Sequence, residues 1–306
     1  MHTNGNSSPE TARPRSGEPS APAGRHRVRG WRPRPIRAKP GIAALATVSA
    51  TGVALALVAG PAGAATKPAW IMTAGNVQTM SQQDSSATSY FFNTPTAYGA
   101  GASLVKTPVQ ANYATTPVLS YTSYTRFKSD IKGGNINYPY KWIMYDPENW
   151  SATPVNERQN PVKYMTLFGQ LAHANGLKVI QAPALDLAYV AGSVIPRRQG
   201  ETADQWYVRV NIAGKAAAAA DIYQLQNESN TTSGGQYAWM FNTTAIQAQA
   251  ANANVKVFSE VSTVNGTAAQ MAKAAQSISP DGFYVAAAGN VPQTLQFFQL
   301  MKTAGY

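Results

Sequence analysis

Lys141-Trp-Ile-Met-Tyr-Asp-Pro-Glu-Asn-Trp150 and, further on, Leu177-Lys-Val-Ile-Gln-Ala-Pro-Ala-Leu-Asp186 decide the fold. Each opens as a short apolar run and closes on a carboxylate. Between them lies an amphipathic stretch. It opens at Asn160-Pro161, carries Tyr164, Leu167, Phe168 and Leu171 on one stripe, and stops at Asn175-Gly176. Proline costs nothing at a first helical position, and glycine suits the left-handed terminating one. Strand, helix, strand with a crossover of this length is a βαβ unit, which requires a parallel sheet. In parallel α/β folds ligands bind at the carboxyl ends of the strands. Asp146, Glu148 and Asp186 stand at those ends.

The alternation continues to the end of the chain. A capping box at Thr202-Ala-Asp-Gln205 opens a helix through Trp206, Val210 and Ala213 into the alanine run at 216–220. Asp221 to Gln226 is a strand, and Tyr237 to Ala251 a helix. Val255 to Phe258 is a strand, and a second capping box, Thr267-Ala-Ala-Gln270, opens the next helix. Gly282 to Ala286 is a strand, and the last helix runs from Pro292 to Gly305. From Lys141 on this makes five strands and five helices. Before it, Trp70-Ile-Met-Thr73 and Pro117 to Tyr121 read as strands, and Phe127 to Ile131 as a helical turn. Tyr90-Phe-Phe92 and Ser103-Leu-Val105 are further strand candidates. Three early strands would complete eight, the count of a (β/α)₈ barrel. The alternative is an open doubly wound sheet. Gly99-Ala-Gly101 lacks the third glycine of a dinucleotide fingerprint, and there is no Walker A motif.

Residues 1–64 stand apart. Nine Lys or Arg fall between 11 and 40 among many prolines, a composition that cannot build a core. Ile42 to Ala59 is apolar and free of charge, and Ala62-Gly-Ala64 follows. Basic region, apolar region and small-residue site in that order describe a secretory signal peptide; the rival reading is a single membrane anchor, since the apolar run is nearly long enough to span. The expectation is a secreted, extracellular or envelope-associated protein whose mature part, 65–306, is one barrel domain with no membrane insertion. Its 242 residues match the length of such barrels, about 250. Nine of the 25 basic and two of the 14 acidic residues belong to 1–64, leaving 16 and 12, a balance of +4. The remaining basic residues are scattered, so the pI near 9.8 is no nucleic-acid footprint.

The chain has no cysteine, which excludes thiolate chemistry and Cys-ligated metals. Beyond residue 64 its one histidine is His173, in the last turn of the 161–175 helix. There a cation complements the helix dipole, and a barrel helix faces away from the active end. A Ser-His-Asp triad and a His-ligated zinc are therefore not expected, and neither is a cofactor. What remains is carboxylates. Asp146, Glu148, Asp186, Glu228 and Glu260 lie at or just past strand ends, while Asp221 and Asp281 precede their strands and read as caps of the opposite face. Paired carboxylates at one face are what glycoside hydrolysis needs: one protonated as general acid, one ionised as nucleophile or base. Tyr145, Trp150, Tyr189, Trp239 and Tyr284 could stack on sugar rings. Gln181, Gln224, Gln226 and Asn227 could hydrogen-bond sugar hydroxyls. The expected partner is thus a carbohydrate or another extracellular substrate.

Asn227-Glu228 after an apolar strand resembles the Asn-Glu of the large clan of (β/α)₈ glycosidases with a catalytic glutamate pair. That resemblance implies Glu228 as acid/base and Glu260 as the second glutamate, although Glu260 is on the next strand and not three strands on. Met144-Tyr-Asp-Pro-Glu-Asn-Trp150, Thr153-Pro154, Asn160-Pro161 and Leu171 to Ile180 together resemble a group of secreted actinobacterial barrel proteins without assigned activity. Two other readings stay open: a barrel that binds a glycan without turnover, and a divalent-metal hydrolase using Asp146, Glu148 and Asp186 as oxygen ligands.

Overall fold

The computed structural model describes residues 67–101, 113–136 and 140–306. The expected signal segment and the strand candidate at 103–105 lie outside them. Eight parallel strands close into a barrel in chain order. They are β1 (Ala69–Thr73), β2 (Ala97–Gly101), β3 (Thr116–Tyr121), β4 (Trp142–Tyr145), β5 (Lys178–Gln181), β6 (Ile222–Leu225), β7 (Lys256–Ser262) and β8 (Gly282–Ala286). β8 closes on β1 through Ala69 opposite Gly282 and Ile71 opposite Tyr284. The (β/α)₈ barrel is the fold.

Ten helices pack around it among the described residues: α1 (Ala74–Gln83), α2 (Ser85–Phe92), α3 (Tyr124–Lys132), α4 (Val155–Gln159), α5 (Pro161–Ala174), α6 (Ala203–Val210), α7 (Ile212–Ala217), α8 (Gly234–Ala251), α9 (Ala268–Gln276) and α10 (Val291–Thr303). None is long and apolar enough to cross a membrane. Both capping boxes form as read, Thr202 with Gln205 at α6 and Thr267 with Gln270 at α9.

Three elements depart from the sequence reading. Tyr90-Phe-Phe92 is helical, not a strand. Asp84 caps α2 by accepting the Ala87 N–H at 2.9 Å, and Phe91 packs with its ring 5.2 Å from Trp70 and 4.6 Å from Phe298. The aromatic run reflects burial under α10 and not extended backbone. The second strand is instead Ala97–Gly101, whose small residues hide its β character. The helix read from Thr202 through the alanines breaks at Asn211, which adopts φ 57° and restarts the chain as α7 by accepting the Gly214 N–H at 3.1 Å. Asparagine tolerates this left-handed conformation better than most residues. β7 also runs on to Ser262, past the expected end at Phe258.

Strand alternation divides the residues into two sets. Ala69, Ile71, Tyr98, Val118, Met144, Ile180, Ile222 and Phe258 fill the barrel interior as one apolar cluster. The intervening positions, such as Ile143, Tyr145, Val179, Tyr223 and Val257, join the core between sheet and helices. At the amino ends of the strands, Asp221 accepts the Val179 N–H at 2.8 Å and Asp281 the Val257 N–H at 2.7 Å. Both are the bottom-face caps the sequence suggested. His173 Nε2 lies 3.0 Å from Asp221 Oδ2, so the histidine belongs to that face.

Candidate functional site

Along three strands the barrel interior turns from apolar to polar toward the carboxyl ends. On β4 the inward series is Trp142, Met144, then Asp146. On β6 it is Ile222, Gln224, then Gln226. On β7 it is Phe258, then Glu260. Apolar residues plug the lower barrel, and acids and amides form its floor. Gln226 Nε2 donates to Asp146 Oδ1 at 2.6 Å and to the Ala182 carbonyl at 2.7 Å. Gln224 Nε2 donates to Glu260 Oε2 at 2.9 Å.

Above this floor opens a cavity of about 430 Å³. Glu148, Asp186, Asp204 and Glu228 supply carboxylates to its wall. Gln226, Thr202 and Ser229 add polar groups, and Tyr189 a ring at the rim. Glu148 sits on the loop after β4, with its N–H held by Thr153 Oγ1 at 3.1 Å. Asp186 lies in a 3₁₀ turn after β5 and accepts the Asn149 N–H at 2.9 Å, which ties the two loops together. Glu228 opens the 3₁₀ turn after β6, and its Oε2 is enclosed without a hydrogen-bond partner. Asp204 arrives from the first turn of α6 and accepts from Gln236 Nε2 at 2.6 Å and Asn230 Nδ2 at 3.2 Å.

Six acids thus stand within one end of the barrel. Among the described residues none of the six has an ion-pair partner; the ion pairs present join Arg126 to Asp130, His173 to Asp221 and Arg209 to Glu201. Burial without a counter-charge disfavours ionisation, and like charges nearby add to it. Asp146 is pushed up to about 8 by burial and by Glu148, with Gln226 pulling the other way and Glu228 and Asp186 adding further repulsion. Glu148 rises to about 7, through burial and then through Asp186 and Glu228. Asp186 is raised by burial against the opposing Asn149 hydrogen bond. Glu228 is raised by burial and by Asp186. Glu260 is raised well above its ordinary value, by burial and then by Glu228, Asp146 and Glu148, with the Gln224 hydrogen bond opposing. Enclosure of its hydroxyl, then Glu260, Asp146, Glu148 and Glu228, raise the half-buried Tyr284.

The structure sorts the residues that sequence reading proposed. Glu148, Asp186, Glu228 and Gln226 meet at the cavity. Asp146 and Glu260 lie beneath it, in contact with the glutamines. Glu260 is inside β7 and only 8% exposed, not at a strand end. Tyr145 and Gln181 are outside the site for one reason: 144 and 146 point inward, as do 180 and 182, so 145 and 181 point outward. Tyr145 stacks on Phe168, ring centroids 4.6 Å apart, and donates to Glu157 Oε2 at 3.0 Å. Gln181 Nε2 donates to the Met165 carbonyl of α5 at 2.9 Å. Asn227 is fully buried, donating to the Tyr237 carbonyl at 2.9 Å and accepting from Asn230, so it braces the turn that carries Glu228. Trp150 is an exposed loop residue that does not line the cavity, and Trp239 lies exposed on α8.

Two acids escaped the sequence reading. Asp204 is not among the acids the sequence singles out, yet the first turn of a helix after a strand-end loop brings it to the cavity. Its place in the capping box was the available signal. Glu157 is completely buried and serves structure. It accepts from Tyr124 N at 2.7 Å, Thr125 N at 2.9 Å, Thr125 Oγ1 at 2.7 Å, Ser123 Oγ at 3.1 Å and the Tyr145 hydroxyl, and so anchors the start of α3. Among the described residues no three carboxylates or imidazoles converge to hold a metal ion, so Asp146, Glu148 and Asp186 do not assemble as an oxygen-ligand set.

No protein-family model matches the chain, and no curated protein does. Among solved structures it is similar to a chain in the crystal structure of the Amycolatopsis orientalis BexX/CysO complex. The identity is 8% over 78% of this chain and 89% of that one, with a TM-score of 0.44. Nothing is transferred from that likeness.

Proposed function

We propose that the cavity at the carboxyl end of the barrel is the active site of a secreted glycoside hydrolase. The observation that carries the reading is Glu148, a carboxyl on the cavity wall held near 7 by burial and by two neighbouring acids. A general acid must be protonated before reaction and able to give its proton up at working pH, which asks for a value in that range. Glu148 donates its proton to the glycosidic oxygen as the C–O bond to the departing sugar breaks. Asp186, across the same cavity, is the ionised partner. Burial raises its carboxyl while the Asn149 N–H opposes that shift, and Asp186 meets the oxocarbenium-like carbon directly or through a water it deprotonates. Glu228 is a positioning residue whose proximity keeps the Glu148 proton in place. Tyr189 offers a ring face at the rim. This departs from the resemblance to the Asn-Glu glycosidases, in which Glu228 would be the acid itself. Glu260, enclosed beneath the cavity, has no route to a glycosidic bond.

The test is turnover of a panel of oligosaccharides by the mature chain and three variants. Glu148→Gln loses about 10²–10⁴-fold in kcat, the range for a general acid. Asp186→Asn loses at least as much. Glu228→Gln keeps turnover but moves the alkaline limb of the pH–rate profile from near 7 to lower pH, because Glu148 loses a repelling neighbour. Full activity in Glu148→Gln sinks the assignment. Binding of glycans by the wild type without any turnover makes the barrel a carbohydrate-binding protein.

A further inference from the structure

The hydrogen-bond inventory of the cavity is lopsided. Its wall and floor hold the carboxylates of Glu148, Asp186, Asp204, Glu228, Asp146 and Glu260, all acceptors when ionised. Both N–H groups of the Gln226 amide are taken, by Asp146 and by the Ala182 carbonyl, and Gln224 Nε2 donates to Glu260 beneath the cavity. The hydroxyls of Thr202, Ser229 and Tyr189 can donate as well as accept, and the lining offers no cationic group. Two further acceptors are fully enclosed and have no partner. One is Oε2 of Glu228 on the cavity wall. The other is Oε1 of Gln224, a residue 2% exposed whose side chain points into the barrel interior beside Glu260. Buried polar atoms are nearly always satisfied in folded proteins. Here the acids meet no cation among the described residues, and without one burial favours their uncharged form.

We infer that the substrate is a glycan carrying free amino groups, whose ammonium fits among the carboxylates of this cavity. An ammonium is the complementary inventory: three donors, no acceptor and a positive charge. A neutral or N-acetylated sugar brings donors and acceptors together but no positive charge that would let the acids ionise. An ammonium among the acids also lets them ionise, so binding releases protons to solvent. The inference rests on the glycoside hydrolase reading but fails separately from it.

The experiment uses the purified mature chain and calorimetric titration at pH 7 with three probes. These are glucosamine oligosaccharides with free amines, the same oligomers fully N-acetylated, and glucose oligomers. Each is run in two buffers of different ionisation enthalpy. The free-amine oligomer is expected to bind at least tenfold tighter than the other two, to release protons, and to weaken as salt is added. Asp204→Asn and, independently, Asp186→Asn are expected to weaken the amine oligomer by more than the neutral ones. Equal or tighter binding of the N-acetylated or glucose oligomers overturns the inference, and hydrolysis of those oligomers would leave the hydrolase reading standing. Tight amine binding with proton release but no hydrolysis upholds the inference and sinks the hydrolase reading. A melting temperature raised by calcium or manganese but not by the amine oligomer assigns the charge to a metal and overturns it. Binding of none of the three overturns both.

Discussion

Asp146→Asn should stabilise the barrel at pH 8 but not at pH 4. In the folded chain the Asp146 carboxyl is pushed from 3.8 up to about 8, by burial and by Glu148 before any other acid. In the unfolded chain it ionises near its ordinary value of about 3.9. Between the two values the unfolded state binds fewer protons than the folded one, so stability falls as pH rises through that window. Four units correspond to roughly 5–6 kcal/mol as a ceiling. A buried asparagine brings its own desolvation cost, on the order of 1–3 kcal/mol. Its Oδ1 still accepts the 2.6 Å hydrogen bond from Gln226. The expected gain at pH 8 is therefore about 2–5 kcal/mol, or roughly 4–20 °C in Tm for a chain of this size. The measurement is thermal unfolding of variant and wild type at pH 4, 6 and 8, with the difference between them as the readout. That difference removes the titrating groups that do not feel Asp146. The reasoning fails if it is the same at all three pH values, or if the variant is the less stable at pH 8.

Glu157→Gln should act in the opposite sense. It puts an amide where five donors converge, and should cost about 2–4 kcal/mol at neutral pH without changing the pH dependence tied to the cavity, read by the same unfolding curves. Gly169→Ala should destabilise by about 1–3 kcal/mol, since a Cβ there would run into the Ala219 carbonyl where α5 meets the residues after α7; a melting temperature equal to wild type refutes that close approach. Tm should be unaffected by reductant, because the chain has no cysteine, and by EDTA, because the described acids do not converge on a metal. A drop with EDTA would favour the metal reading.

The barrel was legible because its signals are redundant. From Lys141 on, each strand is a short apolar run, each helix has a cap or a stop residue, and the order repeats. The early part was not, because β2 is Ala97–Gly101, five residues in which only Tyr98 carries a large side chain. Tyr90-Phe-Phe92, with the stronger strand composition, was drawn into a helix by Asp84 and by contact with α10. Composition reports that a segment is buried; its backbone conformation is set by what covers it.

For the site, the decisive step is one of parity. Knowing that Asp146 follows β4 does not say which way Tyr145 points until one residue is known to face inward. Once Met144 is inside, Asp146 must be and Tyr145 cannot be. The same count removes Gln181 and keeps Gln224 and Gln226. A sequence reading that takes aromatics and amides near strand ends as one group therefore mixes the two faces of the sheet. The acids were less exposed to this error. Glu148, Asp186 and Glu228 lie beyond the last paired residues, where alternation has ended and loop geometry aims the side chain. Asp204 shows the other limit. It belongs to no strand end, and reaches the cavity because the loop after β5 returns α6 over the mouth with its first turn leading. Thr202 and Gln205 close the capping box there, Asp204 faces Asn230 and Gln236 between them, and the wall of the cavity opposite Glu148 is built from a helix start. A search for carboxylates should accordingly count the first turn of every helix that follows a long strand-end loop, since those turns overlook the same cavity as the strand ends do.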